Sequence, residues 1–170
     1  MIRLALALLL LLFASCSERK AQPFEIPVQG EAHNLRFEAG LLTFCDGRGA
    51  RKVDLKTGQD SASDRVCPKP AEANTACSGL KLDVSVRSPA SEANDIVDVN
   101  GASYPLKGRV HDCAAEGSLL IVVTASGASL IDTAKGVAKE LSQQGGDRVA
   151  VGSGWAAWTE GARMRLTPVN

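Results

Sequence analysis

The run Ala115-Glu116-Gly117-Ser118-Leu119-Leu120-Ile121-Val122-Val123-Thr124-Ala125-Ser126-Gly127-Ala128-Ser129-Leu130-Ile131-Asp132-Thr133-Ala134-Lys135-Gly136 decides the fold class. Its two apolar blocks, 119–124 and 128–132, are rich in β-branched and aliphatic residues and too short for ordinary helices. A Ser-Gly-Ala turn separates them, and glycine supplies the positive φ that tight hairpin loops need. Asp132 and Gly136 stand four residues apart. At that spacing the aspartate accepts backbone N–H bonds in an Asx-type turn, and the glycine ends the turn in the left-handed region. The stretch therefore reads as successive antiparallel strands joined by tight turns.

The same signals recur along the chain. Arg48-Gly49-Ala50, Asn100-Gly101-Ala102 and Glu160-Gly161-Ala162 repeat the hairpin signature, and Asp54-Leu55-Lys56-Thr57-Gly58 repeats the Asp-to-Gly spacing. Glu38-Ala39-Gly40-Leu41-Leu42 and Gly152-Ser153-Gly154-Trp155 repeat the turn that precedes 119–124. Candidate strands follow at 24–28, 34–38, 41–45, 50–55, 80–86, 95–99, 102–106, 109–114, 119–124, 128–132, 137–141, 148–151, 155–159 and 163–167. Only 132–144 has local helix formers in competition, and Gly136 with strand-like neighbours on both sides favours β there. The expectation is a single all-β domain over 24–170, built from repeated antiparallel β-meanders.

Lys52-Val53-Asp54-Leu55-Lys56-Thr57-Gly58 resembles the strand-ending segment of pyrroloquinoline-quinone-type β-propeller repeats, and the likeness extends in degenerate form over 34–168. The resemblance implies architecture alone. At about 40 residues per blade the chain holds at most about four. It implies a small closure with 24–28 as an outer strand, or an incomplete propeller; a β-sandwich is the alternative. No cofactor is carried over.

Composition sets the outer bounds. The 170 residues are 45% apolar and 22% charged, with 19 basic against 19 acidic side chains, which fits one ordinary core and excludes wholesale disorder. Zero formal charge removes the electrostatic footprint of a nucleic-acid binder, so no nucleic-acid partner is expected.

The N-terminus is read separately from the fold. Arg3 precedes an unbroken apolar run over 4–13, followed by Ala14, Ser15 and Cys16. A short basic region, an apolar core and small residues before a cut form a signal peptide over 1–15. Ten residues of helix rise about 15 Å, half the roughly 30 Å hydrocarbon thickness, so the run is too short to span. Phe13-Ala14-Ser15-Cys16 resembles a bacterial lipobox, with phenylalanine where leucine is preferred. The resemblance implies cleavage before a cysteine carrying diacylglycerol, so Cys16 becomes the lipidated N-terminus and 16–23 a tether. The implied partner is the lipid bilayer, reached through acylated Cys16, and the implied location is the bacterial cell envelope. In a Gram-negative cell Ser17, standing where aspartate retains such proteins in the inner membrane, favours the outer membrane, facing the periplasm or the surface.

Cys45, Cys67, Cys77 and Cys113 remain, and an exported setting with an even count favours disulfides. A local Cys67–Cys77 bridge across a proline-containing loop, leaving Cys45 with Cys113, is weighed against Cys45–Cys67 with Cys77–Cys113. No spacing fits a zinc site, and none of the acids Asp46, Asp54, Asp60 and Asp64 follows a calcium-loop pattern, so no metal is expected. Arg48, Arg51 and Lys52 lie among acids and read as a solvated sheet face rather than a basic patch.

Linear catalytic motifs are sparse. His111-Asp112-Cys113 is the nearest approach to a nucleophile with a base, but strand alternation turns Asp112 away from its neighbours. Ser153 sits in a Gly-Ser-Gly turn without a nucleophile elbow. No catalytic residue is assigned. Trp155 and Trp158, three apart on a strand, face opposite sides, so one is expected in the core and the other exposed as a binding contact. The functional expectation is an envelope lipoprotein that binds another envelope protein without catalysis. The alternative is an envelope hydrolase whose carboxylate site is assembled only by the fold.

Overall fold

The computed structural model describes residues 21–69, 77, 80–90 and 93–169; the lipobox, Cys16 and the tether up to residue 20 lie outside them. Among the described residues fifteen strands run in chain order: β1 (Phe24–Pro27), β2 (His33–Glu38), β3 (Leu41–Asp46), β4 (Gly49–Asp54), β5 (Asp60–Ala62), β6 (Val84–Arg87), β7 (Ile96–Val99), β8 (Ala102–Pro105), β9 (Val110–Glu116), β10 (Leu119–Thr124), β11 (Gly127–Asp132), β12 (Val137–Ser142), β13 (Val149–Gly152), β14 (Trp155–Glu160) and β15 (Arg163–Pro168). They form four antiparallel sheets. Sheet one is β2-β3-β4-β5, sheet two β6-β7-β8, sheet three β9-β10-β11-β12, and sheet four β13-β14-β15-β1.

All-β meanders are therefore what the sequence builds. Each sheet repeats one closing bond, in which the amide following the third strand reaches back to the turn or strand entrance before the second. These bonds are Leu55 N–H to Gly40 O (3.1 Å), Leu106 to Asp95 (2.9 Å), Thr133 to Ser118 (2.9 Å) and Val169 to Gly154 (2.9 Å). Strand β1 is recruited from the far end of the chain and pairs antiparallel with β15, Phe24 opposite Leu166 and Pro27 opposite Arg163. The segment 24–28 thus supplies an outer strand of the last sheet.

Both Asp-to-Gly turns form as their spacing requires. Asp54 Oδ1 accepts the amides of Lys56 (2.9 Å) and Thr57 (2.8 Å), and Asp132 Oδ1 those of Ala134 (3.1 Å) and Lys135 (3.2 Å). Gly58 and Gly136 take φ values of +72° and +65°. The segment 137–142 is strand, because pairing with β11 outweighs its local helix propensity. Two hairpin glycines stand one residue later than expected. Gly49 and Gly127 open β4 and β11, paired with Asp46 and Thr124, and the loops proper are Gly47-Arg48 and Ala125-Ser126. Strand β5 has no counterpart in the sequence reading, since Asp-Ser-Ala carries no β-branched residue; pairing with β4 defines it.

The core explains the unbroken apolar run of β10. Leu120 and Val122 face sheet two, in a cluster with Val97, Val99, Tyr104 and Leu106. Ile121 and Val123 face sheet four, in a cluster with Ala156 and Trp158. A strand covered on both faces cannot alternate apolar with polar residues. Sheet four is likewise covered twice, its other face packing Trp155, Ala157, Met164 and Leu166 against Leu42, Phe44, Val53 and Leu55 of sheet one. At this junction Gly152 of β13 passes so close to β2 that a Cβ would lie 2.7 Å from Phe37 Cβ. The layers therefore follow the order one, four, three, two. Among the described residues no buried cluster joins sheet one to sheet two, and the sheets close neither a barrel nor a ring. Four sheets are also not the two of a sandwich.

Two disulfides tie the connection that leads from sheet one to sheet two. Cys45 of β3 bonds to Cys67 and Cys77 bonds to Cys113 of β9, so the local Cys67–Cys77 staple is not the pairing formed. The connection from β5 to β6 is instead tied outward at two points. Its first part lies on sheet one through Ser63 N–H to Ala50 O (2.9 Å), Asn34 Nδ2 to Pro68 O (3.3 Å) and the Arg65–Glu38 ion pair. Cys77 and Cys113 lie within the apolar cluster that sheets two and three share. With loops of 22 and 36 residues, the chain-entropy model assigns the bridges about 3 to 4 kcal/mol each. Cys77→Ser with Cys113→Ser is expected to lower the urea midpoint accordingly, and an unchanged midpoint would contradict this account.

Candidate functional site

A cleft of about 940 Å³ opens between sheets one and four. Its walls come from three turns and the entry to β1. Sheet one contributes Gly40 from the β2–β3 turn and Leu55, Lys56, Thr57 and Gly58 from the Asx turn after β4. Sheet four contributes Ser153 and Trp155, and the lead-in Ala21, Gln22, Pro23 and Phe24 completes the rim. Its volume falls in the range of small-molecule sites.

The aromatic pair at this cleft exists because β1 pairs with β15. That register brings Phe24 beside Trp155, with ring centroids 5.4 Å apart and planes at 65°, the edge-to-face arrangement favoured by aromatic quadrupoles. Leu55 is buried, and the aliphatic and aromatic carbon of these three side chains makes the walls largely apolar. The polar groups sit on the turns and are mostly engaged. Thr57 Oγ1 donates to Asp54 Oδ1 (3.0 Å) and accepts from Gln59 N–H (3.3 Å). Lys56 is the single charged side chain among the described lining residues, and it is exposed.

The two tryptophans correct one expectation. They do face opposite sides of β14, but both are buried, at 8% and 3% exposure, because sheet four is covered on both faces. Trp158 offers no exposed contact: its Nε1 donates to Glu160 Oε1 at 2.7 Å within the packing against sheet three. Trp155 reaches solvent only through the cleft. A strand between two cores was legible for β10, with its continuous aliphatics. It was obscured in β14 by Ala156, Ala157 and Thr159.

The other singled-out residues are held in structural roles. Cys113 is disulfide-bonded, and Asp112 accepts the amides of Cys113 (2.9 Å) and Val149 (3.0 Å), bridging sheet three to sheet four. Burial pushes the Asp112 carboxyl above its usual range despite those bonds. His111 Nδ1 lies 2.9 Å from Gly146 O and 3.6 Å from Asp147 Oδ1. Ser153 occupies its turn with φ +54°. Arg48 binds Asp46 at 2.6 Å and Asp60 at 3.2 Å, and Arg51 binds Asp60 at 2.9 Å, so their charges are matched within sheet one. Burial alone would raise the Asp46 carboxyl, but Arg48 and the amides of Gln29 and Arg48 hold it below its ordinary value. Among the described residues no three or more His, Cys, Asp or Glu side chains converge as a metal site.

Sequence reading located the Asx turn and the Gly-Ser-Gly turn but did not place them together. Phe24, Leu55 and Lys56 carried no signal of their own as site residues. Their convergence depends on the pairing of the first strand with the last.

Glu160 supplies a pH test of the packing between sheets three and four. Burial raises its carboxyl, but Ser142, the Trp158 indole and Arg165 together hold it below the usual glutamate value. A lowered folded-state pKa stabilises the fold above the unfolded carboxylate range, and that contribution is lost as pH falls through the lowered value. Glu160→Gln is expected to remove about 1.5–3 kcal/mol at neutral pH and to flatten the acid limb of stability against pH, read by denaturant unfolding.

No family model matches the chain, and no curated protein matches it. Among the solved structures it is similar to are two designed proteins. The crystal structure of the computationally designed Ika4 protein aligns with a TM-score of 0.39 and 11% identity, over 84% of this chain and 93% of that one. The computationally designed Ika8 protein aligns with a TM-score of 0.37 and 11% identity, covering 79% of this chain, which spans 44% of that one.

Proposed function

We propose that this chain is a cell-envelope lipoprotein, anchored by acyl chains on Cys16, that works as a binding protein through the cleft between sheets one and four. The observation that carries the reading is Phe13-Ala14-Ser15-Cys16, directly behind a ten-residue apolar run and one basic residue. Two disulfides, Cys45–Cys67 and Cys77–Cys113, support export to an oxidising compartment. Ser17, rather than aspartate, favours delivery to the outer membrane where the cell has one.

The cleft supports a binding role because its apolar floor is preformed by strand pairing. Its partner is taken to be another envelope component, met close to the bilayer. Several acyl chains, at roughly 0.8 kcal/mol per buried methylene, make the anchor stable where a single chain is marginal. Cys16→Ala is expected to move the protein from the membrane fraction to the soluble fraction or to leave the leader uncleaved, and to abolish incorporation of labelled palmitate. Unchanged lipid labelling would overturn the reading. A photo-crosslinking residue at Thr57, in intact cells, is expected to capture a defined partner that the same residue at Ser126 does not.

A further inference from the structure

We propose that the cleft between sheets one and four seats one of the acyl chains carried by Cys16, so that the protein partly shelters its own anchor. The inference rests on the lipoprotein reading and adds an occupant for the cleft. Ala21, Gln22 and Pro23 form part of the rim, and Cys16 stands five residues before Ala21. Five residues reach at most about 18 Å, so an acylated Cys16 keeps its chains near the mouth at high effective concentration.

The chemistry of the walls selects an acyl chain over a polar ligand. Phe24, Leu55 and Trp155 present carbon, and Thr57 has its hydroxyl committed to Asp54 and Gln59. Among the described residues no buried side-chain nitrogen or oxygen is left without a hydrogen bond. Against the apolar walls a polar ligand gives up its water for few partners, Gln22, Lys56 and Ser153 among the lining residues. A methylene chain has no such cost. Lys56 at the exposed edge suits the ester or headgroup end of a lipid.

The test uses the full chain in cells fed palmitate bearing a terminal diazirine, irradiated and digested for mass spectrometry. The expected product joins the Cys16 lipopeptide to peptides containing 21–24, 55–58 or 153–155. Thr57→Trp, at an exposed position that fills the mouth, is expected to cut that product severalfold. If Thr57→Trp does not accumulate, Lys56→Trp beside it makes the same test, with unchanged near-UV circular dichroism as the folding control. Probe on Cys16 joined only to bilayer lipids overturns the inference while leaving the anchor intact. Cleft peptides labelled only by lipids not attached to Cys16 overturn it as well. A chain without probe on Cys16 overturns the lipoprotein reading itself.

Discussion

The pairing of β1 with β15 is the interaction on which the arrangement depends. It gives the last meander the fourth strand that its own sequence lacks, and it carries Ile26 into the core that sheets one and four share. It also places Phe24 against Trp155, so the principal cleft exists only when the two ends of the domain are joined. The lead-in to β1, from residue 21, forms part of the rim of that cleft.

Inter-sheet packing follows from which strands have two apolar faces. Strands β10 and β14 do, and they sit at the centres of sheets three and four, each with a core on either side. Sheet one has an apolar face toward sheet four, but Thr43, Cys45 and Lys52 alternate away from it. That polar side is covered by 63–68 and held by Cys45–Cys67. Side-chain hydrophobicity thus sets three junctions, and the connection from β5 to β6 is tied by one disulfide to sheet one and by the other to sheet three.

Much of this was legible because it is local. Turn chemistry at Asp54–Gly58 and Asp132–Gly136, and the aliphatic block 119–124, follow from residue type and spacing, and each formed where expected. What was not legible is long-range. The cysteine pairing was judged by loop length, which favours the nearest partner, whereas packing places Cys67 on β3 and Cys77 on β9. Trp158 was given an exposed face because alternation says only that two residues diverge, not what covers each side. The cleft depends on contacts between residues at opposite ends of the sequence, which no local pattern encodes.

The outer strands of the four sheets share a property with a consequence for a crowded surface. Strand β1 carries Glu25 and ends at Pro27, β5 has three residues, β8 ends at Pro105, and β12 presents exposed Lys139 and Glu140. Short length, proline and charge each spoil an edge as a template for further strands. One margin of each sheet is therefore a poor template for a second copy of the chain.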